Sequence, residues 1–168
     1  MRRFRAAPWS NSLKATSLAG SAILIAVGYA IATAIPHGTR APYAEGFGAL
    51  IAWVPPLVGL LALLFVVRGY ELAPGELRVK RLLWSTCVPL AGLREVSADP
   101  EAMTGSLRLF GNGGLFSFTG LFQSRTLGRY RAFVTDPKCA VVLVLERRLV
   151  VISPEDPEGF VAAARGQG

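Results

Sequence analysis

Histidine is almost missing from this chain: its 168 residues hold only His37. Cysteine is nearly as scarce, with Cys87 and Cys139 far apart and no Cys-x-x-Cys spacing. So few imidazoles and thiols leave no group with metal-ligand spacing. His37 lies between two apolar runs, so no Ser–His or Cys–His couple is expected in the C-terminal part of one chain. The two cysteines read as reduced thiols, with a redox pair as the alternative. The glycines of Gly111-Asn112-Gly113-Gly114 lack the Lys-Ser/Thr ending of a phosphate loop and read as a turn. The acids are scattered, several in turns, and single out no carboxylate dyad. Catalytic residues, cofactors and metals are therefore not assigned, and an enzyme is not expected. Dense Lys/Arg tracts are missing as well. The net charge of +7 and the isoelectric point near 10.1 thus give no nucleic-acid reading.

Charge is also missing from two long stretches, Ala15–Ile35 and Phe47–Val67, which contain no Asp, Glu, Lys or Arg. Each has 21 residues, which as a helix reaches roughly 31 Å, the thickness of a bilayer's hydrocarbon core. The runs are unequal. The second holds 13 Leu, Ile, Phe or Val residues; the first holds only 7 and also carries Thr16, Ser17, Ser21 and Thr33. The first is expected to lean on its basic flank and on a partner helix. Ala22, Ala26, Ala30 and Ala34 recur every four residues and offer one small-residue face for such packing; alanine abundance alone produces the same spacing. Pro55-Pro56 falls within the second run and is expected to kink it.

Positive charge near membrane ends sets orientation. Arg2, Arg3, Arg5 and Lys14 precede the first run with no acid among them, and Arg68 follows the second. The loop 36–46 balances Arg40 with Glu45. The expected arrangement is a basic cytoplasmic N-terminus over residues 1–14, a transmembrane helical hairpin over 15–67 and a cytoplasmic domain over 68–168. That places both termini on the cytoplasmic side of the membrane. A secretory signal peptide is the rival reading of the first run, with Ala32-Thr33-Ala34 as its cleavage site.

After Val67 the period changes. Leu77 and Val79 alternate with Arg78 and Lys80, the pattern of a half-buried strand. Short apolar stretches recur at Gly69–Leu72, Trp84–Leu90, Leu93–Val96, Ser106–Phe110, Arg129–Val134, Ala140–Leu145 and Leu149–Ile152, divided by turn residues. Gly111–Gly114, between Leu109-Phe110 and Leu115-Phe116, reads as a hairpin turn. Phe116, Phe118 and Phe122 read as core, or as an exposed groove. Asp156-Pro157-Glu158 reads as a helix start, with Asp as cap and Pro in the first turn. Phe160, Val161 and Ala164 then share one helical face. Composition and period thus give a mainly β, α+β domain of about seven strands closed by a C-terminal helix.

Three stretches carry a likeness. They are Gly105–Phe116 (GSLRLFGNGGLF), Leu127–Asp136 (LGRYRAFVTD) and Val151–Phe160 (VISPEDPEGF), in that order. Together they resemble the signature of a bacterial pleckstrin-homology (PH)-like domain family, over roughly residues 69–164. The resemblance implies a seven-stranded bent sheet capped by a C-terminal helix, often carried behind membrane spans. It implies binding rather than catalysis, on a fold that hosts lipid, peptide and protein ligands alike.

The expected function is a membrane-anchored, non-catalytic binding module that engages a protein partner, a second copy included, at the cytoplasmic face. The alternative is binding of anionic lipid headgroups by Arg68, Arg78, Lys80, Arg81, Arg129 and Arg131, each worth ~1 kcal/mol close to the surface. N-terminal sequencing of protein taken from the membrane tests the anchor: the hairpin reading expects the residues before Ala15 to be retained, and a chain starting near Ile35 contradicts it.

Overall fold

The chain begins with a strand. In a computed structural model describing residues 1–34 and 42–166, with the side chains of 42–45 excluded, β1 (Arg2–Arg5) pairs antiparallel with β2 (Gly69–Ala73). Arg2 lies opposite Leu72 and Arg5 opposite Gly69. A Cβ on Gly69 would stand 2.8 Å from the Phe4 carbonyl oxygen, so glycine permits the close approach. Phe4 turns inward and meets Phe160 edge-on at 5.0 Å. Of the residues read from sequence as a basic flank, Arg2, Arg3 and Arg5 are therefore built into a sheet. His37, Arg40 and the side chain of Glu45, which entered the orientation argument, lie outside the described residues.

Two helices follow. α1 (Asn11–Ala34) starts behind Ser10, whose Oγ accepts from the Leu13 amide at 3.2 Å. α2 (Pro42–Leu63) runs through Pro55 and Pro56 and ends in three i→i−3 bonds over Leu64–Val66. Both are long and apolar enough to cross a membrane. Leu18, Ile23, Tyr29, Leu50 and Trp53 are among their many exposed apolar side chains. The helices pack where Gly28 meets α2: a Cβ there would stand 2.8 Å from Ala52 O and 3.1 Å from Pro56 Cδ. Pro56 has no N–H, so the Ala52 carbonyl loses its helical donor, and Gly28 lies against that bare oxygen. Ala22, Ala26, Ala30 and Ala34 are exposed on α1, while Gly28 is the buried small residue at the contact with α2.

The remaining strands are β3 (Glu76–Lys80), β4 (Ser85–Pro89), β5 (Leu93–Ala98), β6 (Leu107–Gly113), β7 (Phe118–Ser124), β8 (Gly128–Val134), β9 (Val141–Leu145) and β10 (Leu149–Ile152). One sheet has the order β1-β2-β3-β4 and the other β5-β9-β10-β8-β7-β6. All neighbours are antiparallel except β8 and β10. α3 (Pro157–Arg165) closes the barrel-like core, starting where Asp156 Oδ1 accepts from the Gly159 amide at 2.9 Å. Its Phe160, Val161 and Ala164 are buried with Tyr70, Leu77, Phe133 and Leu143. Burying each large side chain contributes about 1.5–3 kcal/mol. This is the mainly β domain with a capping helix that the sequence indicates, with more strands than the seven counted.

The hairpin turn lies further along than its glycines suggest. β6 continues to Gly113, and the reversal falls at Gly114–Ser117. Gly111 (φ 105°) faces Gly120 (φ 142°) across the strands, and a Cβ on either would collide with the partner's backbone. These glycines serve close strand approach rather than the turn. Phe122 is buried in a second cluster with Tyr130, Ala132 and Val134, Phe118 packs against that cluster, and Phe116 sits in the turn at φ 67°.

A buried polar network ties the N-terminal segment to the domain. Tyr70 Oη donates to the Phe133 carbonyl at 2.6 Å and accepts from the Ser153 amide at 3.0 Å. Thr135 Oγ1 donates to Ala7 O at 2.8 Å, and the Ala7 amide donates to Ser153 O at 2.8 Å. Burial pushes the Tyr70 hydroxyl up to about 12, because the phenolate would lose its hydration. A pKa raised on folding contributes stability that is fully present below the ordinary value of 10.0 and lost as pH rises through about 12. Tyr70→Phe should lower unfolding free energy by about 1–3 kcal/mol, since the Ser153 amide and Phe133 carbonyl lose a partner. Urea denaturation at pH 8 measures this. Repeating it between pH 10 and 12 should show wild type losing stability more steeply than the variant.

Candidate functional site

The hairpin and the sheets meet at a cationic joint. Arg81 leaves the end of β3 and turns inward, only 6% exposed. Its Nε donates to Thr86 Oγ1 at 3.0 Å and its Nη1 to the Phe65 carbonyl at 2.8 Å, just beyond α2. Ser117 Oγ donates to the same carbonyl at 3.2 Å. The guanidinium carbon lies 5.4 Å from the ring centres of both Phe65 and Phe133. Arg131, on β8, stands 5.0 Å over Phe133 as well. Burial first, and then the neighbouring Arg131 charge, depress the Arg81 pKa below the ordinary arginine value. Among the described residues no carboxylate pairs with either arginine.

Above this pair opens a cleft of about 820 Å³. Val58, Leu61 and Phe65 of the α2 end form one wall. Phe110, Leu115 and Leu121 form the other, with Arg81, Arg108 and Arg131 also in its lining. The turn behind it is held by the first turns of α1. Thr16 Oγ1 and Ser17 Oγ donate to Gly114 O at 2.9 and 3.2 Å, and the Phe116 amide donates to Ser17 Oγ at 2.8 Å. Thr16 and Ser17, read from sequence as weak points of a membrane span, thus work as contacts with the domain.

A second, basic groove of about 400 Å³ lies along β1 and β2. Arg3, Arg5, Arg68 and Lys80 line it, together with Glu71. Glu71 is 5% exposed and pairs with Arg3 at 2.9 Å and Lys80 at 3.1 Å. Arg3 and Lys80 thus share one carboxylate, and Arg5 reaches Glu155 at 3.8 Å.

The five arginines and one lysine read from sequence separate into different environments. Arg68 is exposed in the basic groove, and Arg129 is exposed on β8 opposite Gln123. Arg78 Nε donates to Glu76 Oε1 at 2.6 Å on its own strand, and this pairing raises its pKa. Lys80 is engaged by Glu71. Arg81 is buried and bonded to main chain, and it borders the cleft rather than standing on an open strand surface. Arg131 joins it at the cleft instead. Arg3, Arg5 and Arg108 belong to these sites and were not among the sequence candidates. The arginines of β1 had been read as an orientation signal alone. Cys87 and Cys139 are free, on β4 and in the 3-10 turn after β8. Among the described residues no group of His, Cys, Asp and Glu has the makings of a metal site.

Residues 68–167 match a family model described as "Bacterial PH domain". No curated protein matches the chain, and no solved structure does.

Glu71→Gln should lower stability by about 1 kcal/mol, because the two cations it pairs with are partly hydrated. Denaturation in 0.1 M and 1 M salt should show the loss shrinking at high salt.

Proposed function

From the premise that this chain belongs to the bacterial PH domain family, we propose that it is a membrane-anchored, non-catalytic binding module working at the cytoplasmic face. The two apolar helices support the anchor, since their exposed faces need an apolar solvent. The pairing of β1 with β2 supports a shared side for the residues before α1 and after α2. The basic residues there, Arg2, Arg3, Arg5, Lys14 and Arg68, favour the cytoplasm for that side.

The ligand we propose is a protein, a second copy of this chain included, bound along β6. The observation that carries this reading is the open edge of the six-stranded sheet. β6 ends the strand order, and its Leu107 and Phe110 are 73% and 80% exposed, with Leu109 exposed beside them. An edge with free main-chain groups and apolar side chains is a template for another strand. Confinement to one membrane raises the local concentration of any partner and makes weak pairing effective.

A photocrosslinking residue placed at Leu107 in native membranes tests this. The expected result is a crosslinked band, at twice the monomer mass if the partner is a second copy, lost on Leu109→Glu. Monomer alone from Leu107, or equal yield from a probe at exposed Arg147 on the β9–β10 turn, contradicts it.

A further inference from the structure

Arg81 poses a problem that capping α2 does not answer. A buried guanidinium with no carboxylate partner is costly to desolvate. The Phe65 carbonyl it caps already accepts from Ser117 Oγ. A second cation, the exposed Arg131, stands 5.0 Å over the Phe133 ring and raises the cost further, as the depressed Arg81 pKa reflects. Nothing in α2 capping calls for Arg131.

Both cations border the large cleft, and its remaining lining is mostly apolar. One wall is the final turns of α2, and Leu115 at the other wall lies beside α1, where a Cβ on Gly20 would stand 3.0 Å from Leu115 Cδ1. Its volume falls in the range of about 300–1,000 Å³ typical of ligand pockets. The complement to such a site has one anionic end and one apolar end, and it arrives along a membrane helix.

We propose that the cleft between α2 and the β6–β7–β8 sheet binds one anionic phospholipid from the bilayer, its phosphate on Arg81 and Arg131 and an acyl chain between Leu61 and Phe65 on one wall and Leu121 on the other. This rests on the reading that α2 crosses the membrane and not on a partner at the β6 edge, although Phe110 belongs to both surfaces. The phosphate supplies the counter-charge that the two arginines lack among the described residues. It accepts charge-assisted hydrogen bonds from the buried Arg81 and the exposed Arg131. The bound lipid fills the joint between anchor and domain, and so fastens the domain against the membrane.

Native mass spectrometry of the full chain in mild detergent tests this, with dioleoyl phosphatidylglycerol and dioleoyl phosphatidylcholine as probes. One phosphatidylglycerol per chain should be retained at least tenfold more tightly than phosphatidylcholine. Arg131→Ala should weaken phosphatidylglycerol at least fivefold and leave phosphatidylcholine unchanged. Leu121→Trp, which fills the cleft, should reduce retention of the anionic lipid without altering the charge. Equal retention of the two lipids, or wild-type retention by both variants, overturns the proposal. Displacement of the lipid by an equal concentration of inorganic phosphate also overturns it, since the site then reads phosphate alone. Carbonate extraction of the same membranes separates the two readings: a chain that stays in the membrane yet retains no anionic lipid defeats the cleft, whereas a chain that is extracted defeats the anchor.

Discussion

The pairing of β1 with β2 is the constraint on which the rest of the structure depends. It joins residues 2–5 to residues 69–73, across both apolar helices. The hairpin is thereby closed at its base by main-chain hydrogen bonds, and its two ends are held a strand's width apart. Ala7, Tyr70, Thr135 and Ser153 extend this closure into the core through buried bonds. A loose tether would leave the orientation of the domain to thermal motion. Here the base of the hairpin is one edge of the first sheet.

Two further joints follow from that closure. With α1 and α2 emerging side by side, Thr16 and Ser17 reach the Gly114–Phe116 turn, and the Phe65 carbonyl reaches Arg81 and Ser117. Each joint satisfies polar groups where a helix meets the domain. The cationic one goes beyond satisfaction of the main chain, because it gathers two positive charges against Phe133. The cleft exists only because helix and sheet meet at this angle. Apolar helices and cleft are therefore parts of one architecture rather than a module and its leash.

Much of this fold was legible locally. The uncharged runs announced α1 and α2, although the helix over Asn11–Ala34 begins before the apolar run because Ser10 caps it. Asp156 and Pro157 announced α3, and the alternation of Leu77 and Val79 with Arg78 and Lys80 announced β3. What stayed hidden is long-range. β1 is four residues with three arginines, and nothing in Arg-Arg-Phe-Arg signals a strand until its partner 67 residues later is in place. Gly111 looks like a turn residue, yet its meaning is the backbone of Gly120. Arg81 sits at a strand end beside other basic residues and reads as surface. Its burial is decided by a carbonyl of another element, Phe65 O, and by two rings that sequence spacing does not bring together.

The central claim, that the N-terminal strand closes hairpin and domain into one body, is tested most directly by amide hydrogen exchange on the full chain in lipid nanodiscs. The account predicts that the β1 amides bonded to β2, and the Ala7 amide on Ser153, exchange as slowly as the amides of β2 and β3. Exchange of residues 2–7 at the rate of an unstructured peptide, with β2 still protected, would contradict it.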